Sequence, residues 1–125
     1  MKPTADAIAR IAHDTVAAFP PAFRTHAAQV LIRVEDFVPL IWLEDDDDAW
    51  DITGLYTGVP MTEKRPDDIP QGPDTVWLFR EPILDELEDR DVTLQELVTH
   101  ITVHEFAHHF GWSDDDIASI DRWWE

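Results

Sequence analysis

The stretch "DVTLQELVTHITVHEFAHHFGWSDDD", residues 91–116, opens with a helix start and closes with a helix stop. Thr93 with Glu96 three residues later is a capping-box pattern, in which each side chain can bond the other residue's backbone N–H. Gly111 suits the left-handed position that ends a helix. Between them Leu94, Leu97, Val98, Ile101, Phe106 and Phe110 recur near the helical period, so the spacing predicts a helix over 94–110. Four positions separate His104 from His108, which puts both imidazoles on one face, one turn apart, where they can converge on one ion. Glu105 is turned from them by about 100 degrees around the axis, a place for a proton acceptor rather than a ligand. This is the H-E-x-x-H pattern, with every required residue type present.

The residues after His108 extend the pattern. Gly111 lets the chain reverse and carry a further ligand back to the ion, which a straight helix cannot do. Asp114, Asp115 and Asp116 are adjacent carboxylates, and only the spacing from His108 through Gly111 picks Asp114 among them. Ser113 with Asp116 reads as the cap of a short last helix, with Ile117, Ile120 and Trp124 able to dock on the core. His100 lies one turn before His104, and the stripe from His100 through His104 to His108 spans about 12 Å of helix axis, too long for one zinc. His109 points away from His108 and is expected to hydrogen-bond structurally.

Outward from this segment, Thr4 can cap an N-terminal helix carrying Ile8, Ile11, Ala12, Val16 and Phe19 along one stripe, which Pro20 and Pro21 stop. "AQVLIRVEDF" alternates and reads as a strand over residues 29–37 with one wet side. "TVWLFR", Thr75 to Arg80, is a second strand, and "PILDELEDR" a short helix starting at Pro82. Between the two strands Pro, Gly and Asp break up the pattern. "GLYTG" there reads as a tight turn presenting Tyr56 between glycines. The run Glu44 to Asp48 lacks the Gly that a calcium loop needs at its sixth position and reads as a solvated acidic face.

With 125 residues the chain fits a single domain, residues 1–125, with one modest core and no separate substrate-recognition domain. The absence of Cys excludes disulfides, thiolate metal sites and thiol catalysis, so a metal must use imidazole and carboxylate. A net charge of -18, from 27 Asp and Glu against 9 Lys and Arg, opposes nucleic acid and anionic membranes as partners. The N-terminus reads as neither a signal peptide nor a membrane span, and cytoplasmic residence is the expectation. No feature bears on oligomeric state.

The run His104-Glu105-Phe106-Ala107-His108-His109-Phe110-Gly111, with Ser113, Asp114 and Asp115 after it, resembles the zincin metallopeptidases, and more closely a small bacterial family of minimal zincin-like proteins. The order of the N-terminal helix, the "VLIRVEDF" strand, "GLYTG", the "VWLFR" strand and the motif helix resembles that family over much of the chain. The resemblance implies an α+β fold, a short mixed β-sheet packed on an N-terminal helix and the metal-binding helix. It implies a Zn2+ cofactor held by His104, His108 and Asp114, with Glu105 as general base. Asp114 stands where many zincins with the extended motif place His. The activity implied is hydrolysis of a peptide or small protein substrate, with an edge strand pairing the extended substrate and Thr75 to Arg80 the candidate strand. Tyr56, the single phenol, is the candidate donor to the oxyanion. Acidic surroundings favour basic or neutral peptides over acidic ones. The alternative is a non-catalytic metal-binding domain with an acidic protein-interaction surface.

Overall fold

The computed structural model describes residues 2–58 and 74–120. In order along the chain these form helices α1 (Ala5–Ala17) and α2 (Pro21–Ala27), strands β1 (Leu31–Glu35), β2 (Gly54–Thr57) and β3 (Thr75–Phe79), then helices α3 (Arg80–Asp89), α4 (Leu94–Phe110) and α5 (Asp114–Ile120). Two short 3-10 turns, Leu40–Trp42 and Ala49–Asp51, lie between β1 and β2. The fold is a small α+β domain with a mixed three-stranded sheet flanked by helices, as expected.

The sheet order is β1-β3-β2, with β1 parallel and β2 antiparallel to β3. Cross-strand partners share a face, so the register sorts the side chains. Ile32 and Val34 align with Val76 and Leu78, and Tyr56 and Gly54 align with the same two residues from the other side. That face meets α1 and α4, where Ile8, Ala12, Val16, Leu97, Val98 and Ile101 close one buried cluster. The opposite face carries Arg33, Trp77 and Leu55.

Two expectations are corrected by the topology. β3 was the candidate for the substrate-pairing edge strand, but it is the central strand with a neighbour on each side, and the described edge beside α4 is β2. "GLYTG" is not a tight turn: Gly54–Thr57 is β2 itself. Gly54 is used for closeness rather than for a bend, since a Cβ there would lie 2.8 Å from Cγ2 of Ile101 and 3.2 Å from Cγ of Glu105. α2 is an element that the proline pair conceals. Pro20 and Pro21 read as a stop, and they do end α1, but Pro21 then serves as the first residue of a new helix, where its missing N–H costs nothing.

α4 has the predicted bounds. Both bonds of the capping box form, Glu96 N–H to Thr93 Oγ1 at 3.1 Å and Thr93 N–H to Glu96 Oε1 at 3.2 Å, and Gly111 is left-handed at φ 65°. Its buried residues include Val98, Ile101, Thr102, Val103, Phe106 and Ala107, which no single stripe contains. The reason is its position: α1, α3, α5 and both β2 and β3 pack around it. α3 starts at Arg80, earlier than expected, with Pro82 inside its first turn and Arg80 Nε donating to the carbonyl of Pro3 at 2.8 Å.

Candidate metal centre

Three residues of α4 have different surroundings. His104 is exposed, Glu105 is largely enclosed with its side chain 14 % accessible, and His108 is exposed at 66 %. The enclosure of Glu105 comes from β2, since Gly54 brings bare backbone against its Cγ. A residue with a side chain at 54 would push the strand off the helix at that point. Burial raises the Glu105 carboxyl above the usual carboxylate range, and the neighbouring His108 opposes that rise. His108 Nδ1 lies 3.6 Å from Glu105 Oε1, while the His104 ring rests edge-on against His100 at 4.5 Å. A cleft of about 200 Å³ opens beside these groups, lined by Thr53, Glu86, Arg90, His100, His104 and Glu105 among others.

His109 turns the other way and is buried, with 3 % of its surface accessible. Its Nδ1 is 2.9 Å from the Tyr56 hydroxyl and 3.4 Å from Asp74 Oδ2. The Tyr56 hydroxyl also bonds the Asp74 carboxylate, and burial together with that carboxylate raises the phenol's pKa well above its ordinary value. With the phenol proton donated to Asp74, Nδ1 of His109 must carry the hydrogen that Tyr56 accepts. Three elements are thereby tied together: the end of α4, the edge strand β2 and the residue that precedes β3. His109 matches its expected structural role. Tyr56 is placed in this network. Asp74 was not anticipated, because nothing in its local sequence separates it from the other acidic residues that interrupt the stretch between the strands.

The reversal after α4 is locked by packing. Gly111 and Trp112 both donate to the carbonyl of Ala107, at 2.8 and 3.1 Å. The Trp112 ring stacks on Phe110 at 5.3 Å and meets Phe19 and Phe23 at 5.4 and 4.7 Å. Aromatic contacts of this kind contribute about 1 kcal/mol each beyond burial. α5 then starts with a reciprocal cap: Asp116 N–H bonds Ser113 Oγ and Ser113 N–H bonds Asp116 Oδ2, each at 3.1 Å. The Asp116 carboxylate is occupied in that cap. Asp115 is exposed, and the side chain of Asp114 lies outside the described residues, as does Trp124; Ile117 packs on the core as expected.

Residues 27–124 match the family described as zincin-like metallopeptidase. The chain belongs to the zincin-like metallopeptidase family. A comparison with curated proteins finds no match. In this zincin-like chain no group of three or more His, Cys, Asp or Glu side chains able to hold a metal is present among the described residues. The described candidate donors are two exposed imidazoles at the four-residue spacing of one helix face, the residue types a zinc site without thiolate uses, with an enclosed carboxylate beside His108. No helix among the described residues is long and apolar enough to cross a membrane.

Proposed function

We propose that the chain, as a single domain over residues 1–125, is a zinc-dependent peptidase that hydrolyses peptide bonds with Glu105 as general base. The observation that carries this reading is the environment of Glu105, an enclosed carboxylate beside the exposed His108 on a capped helix that also exposes His104. His104, His108 and Asp114 are the ligands in this proposal. Zinc, when bound, supplies Lewis acidity that lowers the pKa of water and draws charge from the substrate carbonyl oxygen. Glu105 takes one proton from the attacking water as the C–O bond forms, and passes it to the leaving nitrogen as the C–N bond breaks. The carboxylate finishes in the state in which it began.

Substrate pairing is assigned to β2. It is the edge strand that packs on α4, with Gly54 directly against Glu105, and an extended peptide added there would run beside the motif. Tyr56 is held protonated by burial and Asp74, which is the state an oxyanion donor requires. To act so, its hydroxyl must exchange Asp74 for the substrate. With a net charge of -18 the surroundings favour basic or neutral peptides, and a cytoplasmic setting is part of the proposal.

The test is Glu105→Gln, with zinc content and turnover of a mixed peptide library measured on the same preparations. The expected result is full zinc content with hydrolysis lowered by at least about a hundredfold. Equal turnover would remove Glu105 from the chemistry, and loss of zinc would make it a ligand. The competing reading, a metal-binding domain without catalysis, draws support from the exposed acidic run Glu44 to Asp48. It requires that wild type and variant both bind zinc and neither hydrolyses any member of the library.

A further inference from the structure

The face of the sheet turned away from α4 has a composition that the site does not use. In the 3-10 turn Leu40–Trp42 the Trp42 ring packs edge-on against Trp77 of β3 at 5.3 Å, and the same turn leaves Leu40 and Ile41 80 % and 87 % exposed. Elsewhere in the same span Trp50, Leu31 and Phe37 also stand partly in water, Phe37 meeting Trp50 at 4.9 Å. Arg33, in register with Trp77, lays its guanidinium over that ring at 5.3 Å and so joins the patch as a flat, weakly hydrated surface. The rim is acidic. Glu35, Asp36, the run Glu44 to Asp48 and Asp51 are all exposed, with Glu35 paired to Arg33 and Asp36 to Arg80, and Arg33 is the one cation in residues 31–51.

We propose that this face docks a cationic amphipathic segment of a protein partner, one that sets apolar side chains on Leu40, Ile41 and Trp42 and Lys or Arg on the surrounding carboxylates. Apolar side chains grouped in this way and rimmed by charge mark an interaction surface rather than scattered exposure. The sign of the rim selects the occupant. A second copy would bring the same carboxylates together across a two-fold axis while adding another net charge of -18. An anionic membrane surface would be repelled for the same reason. The inference stands apart from hydrolysis, because the register places Arg33 and Trp77 on the sheet face opposite Gly54 and Tyr56.

The full chain is titrated against two labelled peptides of equal charge, a helical Leu–Lys peptide and its Ser–Lys counterpart, with fluorescence anisotropy as readout. The expected result is that the Leu–Lys peptide binds roughly tenfold tighter or more. L40S/I41S removes that preference while leaving binding of the Ser–Lys peptide and the circular-dichroism melt unchanged. Replacing Asp45 to Asp48 by Asn weakens both peptides and flattens the salt dependence. Equal affinity for the two peptides, or a preference that survives L40S/I41S, overturns the proposal. So does a concentration-dependent dimer in sedimentation that the double substitution dissolves, which would make a second copy the occupant.

Discussion

Glu105 is costly to keep ionised in its folded setting. Because burial raises its pKa on folding, the folded protein holds this proton over an interval in which the unfolded chain has released it. The associated stability is complete below the unfolded value and falls as pH rises through the folded one. Metal-free Glu105→Gln is therefore expected to melt above wild type at neutral pH, with the gain gone below the carboxylate range; scanning calorimetry at two pH values checks the sign. Gain of stability with loss of hydrolysis would mark a side chain kept for chemistry. At Asp114, the proposed third ligand, Asp114→Ala is expected to weaken zinc by at least about tenfold in chelator competition, while Asp115→Ala and His100→Ala leave it nearly unchanged. Asp116→Ala should lower stability by about 1 kcal/mol and spare zinc, since its carboxylate caps α5. Tyr56 separates two roles by kinetics. If it serves the oxyanion, Tyr56→Phe lowers kcat by about a hundredfold with KM and zinc affinity kept. If it serves only to tie β2 to α4, Tyr56→Phe and Asp74→Asn raise KM and lower Tm together.

β2 and α4 are the pair of elements on which the proposed site depends. Gly54→Val is expected to destabilise by about 1–3 kcal/mol through overpacking, because its Cβ already falls 2.8 Å from Ile101. It should raise KM for extended peptides more than for dipeptides, since the strand that would pair them is displaced. Thr93→Ala removes a cap bond at the end of α4 away from His104 and His108 and should cost about 1 kcal/mol in a urea melt without altering zinc affinity. The contrast between these two variants tells whether the helix alone, or the helix with its strand, makes the site.

At the scale of the whole molecule, the charge of -18 acts before any contact forms. No binding of duplex or single-stranded DNA is expected at physiological salt, and anisotropy reporting micromolar, steeply salt-dependent binding would contradict it. Much of the molecule was legible from local signals. The ends of α4 are set by Thr93, Glu96 and Gly111, since capping depends on near neighbours. The start of α1 at Thr4, the reciprocal cap at Ser113 and the wet face of β1 are of the same kind. Strand order was not local: which of Thr75–Phe79 and Gly54–Thr57 lies at the edge depends on partners distant in sequence. Nor could the pattern around Gly54 distinguish a turn from a strand, because the glycine answers to a helix that begins forty residues later. The same holds for Asp74, one acid among many until the chain closes it against Tyr56 and His109. Spacing along one helix determined the bounds of α4 and which of its residues lie one turn apart; burial by non-neighbouring elements decided which carboxylate is enclosed, because desolvation is a property of everything packed around a group.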